Sequence, residues 1–159
     1  MNHRLLFVCL GNICRSPAAE GVFLHQLKSQ DMEKHFVVDS AGTGGWHVGR
    51  PADSRMRSAA QQRGILLPSR ARQITLEDLQ TFDLILTMDA DNLATVQSLA
   101  TEVGPMATAR IEPMLSYATK TSLEEVPDPY YGGDAGFEKV LDLLEDACEG
   151  LLIELSSQL

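Results

Sequence analysis

The stretch of sequence that decides the fold is LLFVCLGNICRSP, residues 5–17. Residues 5–9 are short, apolar and followed by a tight turn sequence, which predicts a buried β-strand. Ser16 followed by Pro17 is typical of a helix N-terminus, with the serine as N-cap and the proline at the first helical position. The intervening residues therefore form a tight loop between a strand and a helix.

Strands and helices alternate along the rest of the chain. Short apolar runs predict three further strands, at residues 36–38, 84–86 and about 109–114. Helical spacing or end signals predict helices after Ser16, at residues 53–63 and 89–99, and from an N-cap at Asp134 to the C-terminal region. No linker or repeat interrupts this order, so we expect one α/β domain over residues 1–159, with a parallel sheet and helices on both faces.

The loop after Cys9 has the features of an anion-binding site. Ligands of parallel sheets bind beyond the carboxyl ends of the strands, where this loop lies. Consecutive backbone N–H groups in such a loop bind anions, and the adjacent helix N-terminus adds partial positive charge. Gly11 and Asn12 tolerate left-handed backbone angles, which a tight loop needs.

Three side chains indicate which reaction this loop supports. Cys9 lies in an electropositive field that favours the thiolate, the nucleophilic form of cysteine. Arg15 presents a planar guanidinium that suits two oxygens of a phosphoryl group. Ser16 is placed to donate a hydrogen bond to the sulfur and ease its departure when water attacks.

Nucleotide and zinc binding are not expected of this loop. It lacks the Gly-Lys-Ser/Thr ending that a nucleotide P-loop uses for phosphate and magnesium. Cys9 and Cys14 lack a second Cys or His pair at zinc-ligand spacing. We therefore expect neither a metal nor a cofactor.

The composition limits the kind of partner. The net charge is −9, from 22 acidic and 13 basic residues, which argues against nucleic acid and anionic membranes as partners. Three cysteines are a poor disulfide framework and suit a reducing compartment. The apolar N-terminal run, residues 5–10, is too short for a membrane span and lacks a signal-peptide pattern. We expect a cytoplasmic protein, and the sequence specifies no oligomeric state.

Five segments, in order along nearly the whole chain, resemble the low-molecular-weight protein tyrosine phosphatase family. They are VCLGNICRSP at 8–17, DSAGT at 39–43, ARQIT at 71–75, MD at 88–89 and DPYYG at 128–132. The resemblance implies a four-stranded parallel sheet flanked by helices. It also implies metal-independent hydrolysis of phosphotyrosine in proteins through a phosphocysteine.

The resemblance assigns roles residue by residue. Cys9 resembles the nucleophile, Arg15 the phosphate-binding arginine and Asp128 the general acid. The implied phosphate-binding loop also includes Leu10, Gly11, Asn12, Ile13, Cys14 and Ser16, supported by Ser40 and Asp89, and the implied substrate pocket is lined by Trp46, Tyr130 and Tyr131. Ser69 stands where some members have a histidine that supports the loop asparagine, so a less constrained Asn12 is expected unless water substitutes.

Several of these residues have a second interpretation. Asp128, between two prolines, has its direction restricted, but the same sequence is typical of a surface turn. Cys14 either forms a reversible disulfide that protects Cys9 or is a small buried side chain. Asp89 either caps the next helix or orients Arg15. Tyr131 either lines the pocket or lies on the surface.

Two other functions compete with hydrolysis. An arsenate reductase shares this fold and loop, but it needs a second pair of cysteines near residues 75–95, where this chain has none. A non-catalytic phosphotyrosine-binding module is expected to lack the nucleophile, the arginine or the acid, and all three are present here. The sequence does not specify the physiological substrate.

Overall fold

The computed structural model describes residues 2–159, which form one α/β domain. Its four strands are β1 (His3–Cys9), β2 (Phe36–Gly42), β3 (Leu84–Thr87) and β4 (Arg110–Pro113). The strands form one sheet in the order β2-β1-β3-β4, and every neighbouring pair is parallel. The predicted four-stranded parallel sheet is confirmed.

The helices differ widely in length. They are α1 (Arg15–Ser29), α2 (Ser54–Gln61), α3 (Asp78–Thr81), α4 (Ala90–Val103) and α5 (Asp134–Ser156). Short 3-10 segments lie at Glu33–His35, Gly104–Met106 and Met114–Tyr117. Among residues 2–159, no helix is both long and apolar enough to cross a lipid bilayer.

The core lies in two layers, one on each face of the sheet. Successive side chains of a strand point to opposite faces, so Leu5 and Phe7 of β1 enter one layer while Leu6 and Val8 enter the other. Helices α1, α2 and α5 cover the first layer, and α3 and α4 cover the second. The prediction of helices on both faces is therefore confirmed.

Strand β2 is longer than the apolar run that predicts it. The run ends at residue 38, but pairing with β1 continues through Phe7 opposite Ser40 to Cys9 opposite Gly42. Ser40 is only 1% exposed. A buried polar residue is tolerated there because its hydroxyl is hydrogen-bonded, so hydropathy does not mark the end of this strand.

Two predicted helix caps are wrong. Helix α1 begins at Arg15 with Cys14 as N-cap, and Ser16 lies inside the first turn because its hydroxyl is used by the loop instead. Helix α5 has Gly133 as N-cap and Asp134 as its first residue. An acidic residue in the first turn still interacts favourably with the helix dipole.

The order of the strands brings two distant segments together. The chain passes from β1 to β2 on one side and later returns to β3 on the other side of β1. A crevice at the carboxyl ends of the strands is expected where the direction of strand order reverses. The loop after Cys9 and the segment after β3, which contains Asp89, both lie at this crevice.

Candidate active site

The loop between β1 and α1 has several of its carbonyl groups engaged and its N–H groups free. Three loop carbonyls, those of Cys9, Leu10 and Ile13, accept backbone hydrogen bonds of 2.9, 2.9 and 2.8 Å from Thr43, Gly44 and Asp53. Within the described range 2–159, the N–H groups of residues 10–14 donate to no protein acceptor. Free donors beside a helix N-terminus form an anion-binding cup.

Asn12 fixes the shape of the loop. Its φ of 57° lies in the left-handed region, as the sequence predicts, whereas Gly11 does not adopt a positive φ. Its Nδ2 donates to Ser16 Oγ at 2.7 Å and to Ser40 Oγ at 3.0 Å, and its Oδ1 accepts from Arg72 N at 3.0 Å. Asn12 is therefore held by three hydrogen bonds, none of which comes from Ser69.

The sulfur of Cys9 is buried and has one polar side-chain neighbour. Its Sγ lies 3.0 Å from Ser16 Oγ. The Ser16 oxygen accepts from Asn12, so its own hydrogen is free to bond the sulfur or the carbonyl of Ala41, 3.4 Å away. An ionised Cys9 accepts this hydrogen, which stabilises the thiolate.

A buried glutamate stands behind the loop. Glu20 Oε1 accepts a 2.6 Å hydrogen bond from Ser40 Oγ, and among residues 2–159 no cation forms a salt bridge with it. Burial raises the pKa of Glu20, and hydrogen bonds from Ser40 and Ser69 only partly oppose that effect. Glu20 thus forms the far end of the network that reaches Cys9.

Arg15 is held in place by groups from the neighbouring strand end. Its side chain is 3% exposed, and Nη1 donates to Asp89 Oδ2 at 2.7 Å and to the Val126 carbonyl at 3.0 Å. Burial opposes the charge, but the nearby Cys9 and the Asp89 hydrogen bond outweigh it and raise the pKa of Arg15. Asp89 also caps α4 by accepting from Asn92 N at 2.8 Å, so this carboxylate contacts both Arg15 and the start of the helix.

Asp128 lies beside the same guanidinium. Its Oδ2 is 3.6 Å from Arg15 Nη2, and its Oδ1 accepts from Tyr130 N at 3.0 Å. The side chain is 41% exposed, so the carboxyl group is open to solvent and to a ligand in the cup. The Asp128 turn is therefore at the surface and beside the cup at once.

A cavity of about 380 Å³ opens over the loop. Its lining contains, in chain order, Cys9, Leu10, Gly11, Ile13, Cys14, Arg15, Trp46, His47, Asp128, Tyr130 and Tyr131. Asn12, Ser16, Ser40 and Asp89 are absent from this lining and lie behind it. The predicted nucleophile, arginine, acid and aromatic residues thus share one cavity. Of the predicted support residues, Asp89 contacts Arg15 and Ser40 contacts Asn12.

The aromatic residues form the mouth of the cavity. Tyr130 and Tyr131 contact each other edge to face, with ring centroids 4.9 Å apart, but Tyr131 is 94% exposed. Trp46 is 70% exposed. His47 lines the cavity and packs on Gly11, where a Cβ atom would lie 3.0 Å from its ring.

The remaining cysteines are free and buried. Burial, followed by the negative charges of Asp53 and Cys9, raises the pKa of Cys14 to about 12, so this thiol stays protonated. Cys148 is fully buried in α5. In the described range, no group of three or more His, Cys, Asp or Glu side chains is arranged to hold a metal ion.

Several functional contacts were not predicted from the sequence. Glu20 lies one helical turn after Ser16, so its spacing was a usable signal. Arg72 contributes a backbone N–H and Val126 a carbonyl oxygen, and no residue pattern marks such contacts. Asp53 and Arg55, which connect the loop to the Asp128 segment, are also distant in sequence from both.

An open parallel sheet with an anion-binding cup, a cysteine and an arginine after its first strand defines a class of small α/β phosphatases. The family model described as low molecular weight phosphotyrosine protein phosphatase matches residues 4–159. The chain belongs to this family, which confirms the predicted resemblance.

Individual relatives agree with this assignment over nearly their full length. The human low molecular weight phosphotyrosine protein phosphatase is 43% identical over 148 residues, which cover 93% of this chain and 92% of that protein. A crystal structure of protein tyrosine phosphatase from Entamoeba histolytica, with Hepes in its active site, is 43% identical, with a TM-score of 0.93 and 99% coverage of both chains. A Drosophila arginine phosphatase structure is 32% identical, with a TM-score of 0.90 and coverage of 95% and 96%.

Proposed function

We propose that the protein hydrolyses phosphotyrosine in proteins through a covalent phosphocysteine on Cys9. The observation that carries this proposal is that Cys9, Arg15 and Asp128 line one cavity above a loop with free backbone donors. Arg15 and the loop N–H groups supply the positive charge that the transferred phosphoryl group needs, without a metal ion. In this reaction the loop positions the substrate and the three side chains carry out the chemistry.

In the first step the Cys9 thiolate attacks phosphorus. The sulfur–phosphorus bond forms while the bond from phosphorus to the tyrosine oxygen breaks. Asp128 donates its proton to that oxygen, so tyrosine leaves as the neutral phenol. The exposed position of Asp128 beside Arg15 suits a group that must reach a leaving oxygen at the cavity mouth.

In the second step water replaces the sulfur. Asp128, now a carboxylate, accepts a proton from the attacking water, and the new phosphorus–oxygen bond forms as the sulfur–phosphorus bond breaks. The departing thiolate accepts a hydrogen bond from the Ser16 hydroxyl group, whose oxygen lies 3.0 Å away. Inorganic phosphate leaves and the enzyme returns to its initial state.

The cavity walls support phosphotyrosine as the substrate. The mouth carries Trp46 and Tyr130, which suit the faces of an aromatic ring. The human relative is named as a phosphotyrosine phosphatase, whereas the Drosophila neighbour is an arginine phosphatase. We therefore take tyrosine-phosphorylated proteins as the substrates, with phosphoarginine as the comparison that tests the choice.

The cysteines support hydrolysis over arsenate reduction. Besides Cys9 and Cys14 the chain has only Cys148, which is 0% exposed in the core. The second pair of cysteines that an arsenate reductase needs is therefore not present in the sequence. The thiolate mechanism needs a reducing compartment, so we place the enzyme in the cytoplasm.

Two substitutions test the mechanism. Cys9→Ser is expected to abolish turnover yet retain phosphate binding, because the cup and Arg15 remain. Asp128→Ala is expected to lower kcat with phosphotyrosine peptides by about 100- to 10,000-fold, with a small effect on binding. The measurements are steady-state kinetics and phosphate titration by calorimetry.

The intermediate gives an independent test. Rapid acid quench of wild-type enzyme with radiolabelled substrate is expected to trap phosphate on Cys9, and Cys9→Ser serves as the blank. A fully active enzyme that never carries label on sulfur would contradict the covalent mechanism. Faster turnover of a phosphoarginine peptide than of the matched phosphotyrosine peptide would contradict the substrate assignment.

A further inference from the structure

Arg55, the second residue of α2, contacts the segment that carries Asp128. We call residues 127–132 the acid segment. The guanidinium Nη2 donates to the Tyr130 carbonyl at 3.1 Å. Within residues 2–159, this is the single hydrogen bond that reaches the acid segment from another element.

Aromatic contacts fix the plane of the same guanidinium. Its Cζ lies 5.5 Å from the ring centroid of Tyr130 and 4.8 Å from that of Phe137. Phe137 is 1% exposed and belongs to the core under α5, so it does not move with the acid segment. Arg55 therefore connects the acid segment, which is a surface turn, to the Phe137 ring, which is fixed in the core.

The other end of this connection is the phosphate-binding loop. Arg55 Nε and Nη2 donate to the two carboxylate oxygens of Asp53 at 3.1 and 2.9 Å. The backbone N–H of Asp53 donates to the carbonyl of Ile13 at 2.8 Å, and its side chain caps α2. The Asp53–Arg55 pair thus joins the loop that binds phosphate to the segment that carries the acid.

The ionisation of the pair supports the same geometry. Burial would raise the pKa of Asp53, but the hydrogen bonds from Arg55 outweigh it and lower that pKa below the usual range. Asp53 is therefore a carboxylate at neutral pH and pairs with the Arg55 guanidinium. A two-pronged guanidinium satisfies both oxygens and still reaches Tyr130, which an ammonium cannot do.

We propose that Arg55 is a positioning residue that holds the acid segment over the phosphate-binding loop so that the Asp128 carboxyl group faces the leaving oxygen. Arg55 is absent from the lining of the cavity, so it acts through Asp128 and not on the substrate. This inference rests on the proposed function, in which Asp128 is the acid.

The dependence on the leaving group tests the inference. A poor leaving group needs the proton of Asp128 more than a good one does. Arg55→Ala is therefore expected to lower kcat/KM by about 10- to 100-fold with phenyl phosphate and by at most about threefold with p-nitrophenyl phosphate. Arg55→Lys, which keeps the charge but loses the two-pronged contact, is expected to fall between wild type and Arg55→Ala.

A matched control lies on the same helix. Arg57 donates through Nε to the Ala52 carbonyl at 2.9 Å and, within residues 2–159, forms no hydrogen bond or salt bridge with the acid segment. Arg57→Ala is expected to leave the dependence on the leaving group unchanged. Circular dichroism and thermal melting of each variant verify folding, and if Arg55→Ala fails to fold, Arg55→Lys carries the comparison.

A double-mutant cycle separates positioning from a general loss of structure. In an Asp128→Ala background, Arg55→Ala is expected to cause no further fall in kcat/KM with phenyl phosphate, because the group that it positions is gone. Equal losses with both leaving groups, or a full additional loss in the double variant, would overturn the inference.

The same experiment separates this inference from the proposed function. If wild type hydrolyses neither ester, or if Asp128→Ala shows no dependence on the leaving group, the proposed mechanism fails and the role of Arg55 fails with it. If wild type and Asp128→Ala behave as expected while Arg55 variants match wild type, only the role of Arg55 is refuted.

Discussion

At Cys9 the sulfur stands at the end of a chain of hydrogen bonds whose direction is set by the amide of Asn12. An amide nitrogen can only donate, so the two hydrogens of Asn12 Nδ2 go to the oxygens of Ser40 and Ser16. The hydrogen of Ser40 is directed to Glu20. The hydrogen of Ser16 is left free for the thiolate, so a buried amide determines how the sulfur is stabilised.

The pH dependence of stability tests the ionisation of Glu20. The pKa of Glu20 in the folded state is raised above the ordinary value of 4.5. The stabilising contribution of Glu20 to the free energy of unfolding is therefore complete below about pH 4.5 and is lost as pH rises through the folded pKa. Glu20→Gln removes this loss. The free energy of unfolding of the variant, relative to wild type, is expected to increase between about pH 4.5 and the folded pKa and then level off.

Urea unfolding measured at a series of pH values provides the comparison. Glu33→Gln is the matched control, because it makes the same substitution at an exposed glutamate. Parallel stability curves for wild type and Glu20→Gln would show that burial does not shift this carboxyl group.

Much at the residue scale was predictable because it depends on local sequence. The left-handed Asn12 and the Cys9-to-Arg15 loop follow from the kinds of residue and their spacing. The prediction of an N-cap at Ser16 is wrong, because its hydroxyl group bonds Cys9 and Asn12 in the loop and does not cap the helix. Contacts made by backbone atoms, such as Arg72 N to Asn12, leave no trace in residue identity.

At the scale of elements, the segment after β2 supplies one wall of the cavity through close contact between a glycine and an aromatic ring. A Cβ atom on Gly44 would lie 1.9 Å from the Trp46 ring. The ring thus rests on the backbone of its own loop, and only a glycine leaves room for it. Because Trp46 is exposed, its ring can move away when a methyl group at position 44 occupies that space.

Gly44→Ala is therefore expected to displace Trp46 without unfolding the protein. The KM for a phosphotyrosine peptide should rise by about threefold to tenfold while kcat changes little, because a well-packed aromatic contact contributes about 0.5–1.5 kcal/mol. Gly45→Ala is the matched control, since its Cβ would meet the movable end of Gln73, at 2.8 Å. Equal changes in KM for both variants would contradict a specific effect on Trp46.

Element boundaries were less predictable than element types. All four strands fall where apolar runs predict them, but β2 extends through polar residues that pairing and hydrogen bonds hold in place. Helix α3 spans only Asp78–Thr81, which is too short to show a helical period. Such segments depend on tertiary contacts that hydropathy does not record.

At the scale of the whole molecule, the site exists only because the sheet brings distant segments to one edge. Arg15 and Asp89 are 74 residues apart, and Arg55 and Tyr130 are 75 apart. The alternation of strands and helices predicts that the strand ends share an edge, but not which side chains meet there. The contact of Asp89 with Arg15 was suggested only by the resemblance to a known family, and nothing in the sequence indicated the contact between Arg55 and Tyr130.

Phosphate is expected to stabilise the whole fold, since the cup binds it only when β1 and α1 are in place. At 100 times its dissociation constant, a ligand adds about 2.7 kcal/mol to the free energy of unfolding. The melting temperature of wild type and of Cys9→Ser should rise with phosphate, and that of Arg15→Met should rise much less. Chloride at equal ionic strength is the control, and equal shifts from both salts would contradict a specific anion site.

The central place of β1 has a consequence for how the molecule opens. Its backbone is bonded to β2 on one side and to β3 on the other, and both faces are covered by helices. Amide hydrogens in this strand can exchange with solvent only when the sheet itself comes apart, whereas those of surface turns exchange through small local fluctuations. Cys9 is the last residue of this strand, so the sulfur is anchored in what should be the slowest-exchanging part of the chain, while Asp128 lies in one of its faster parts.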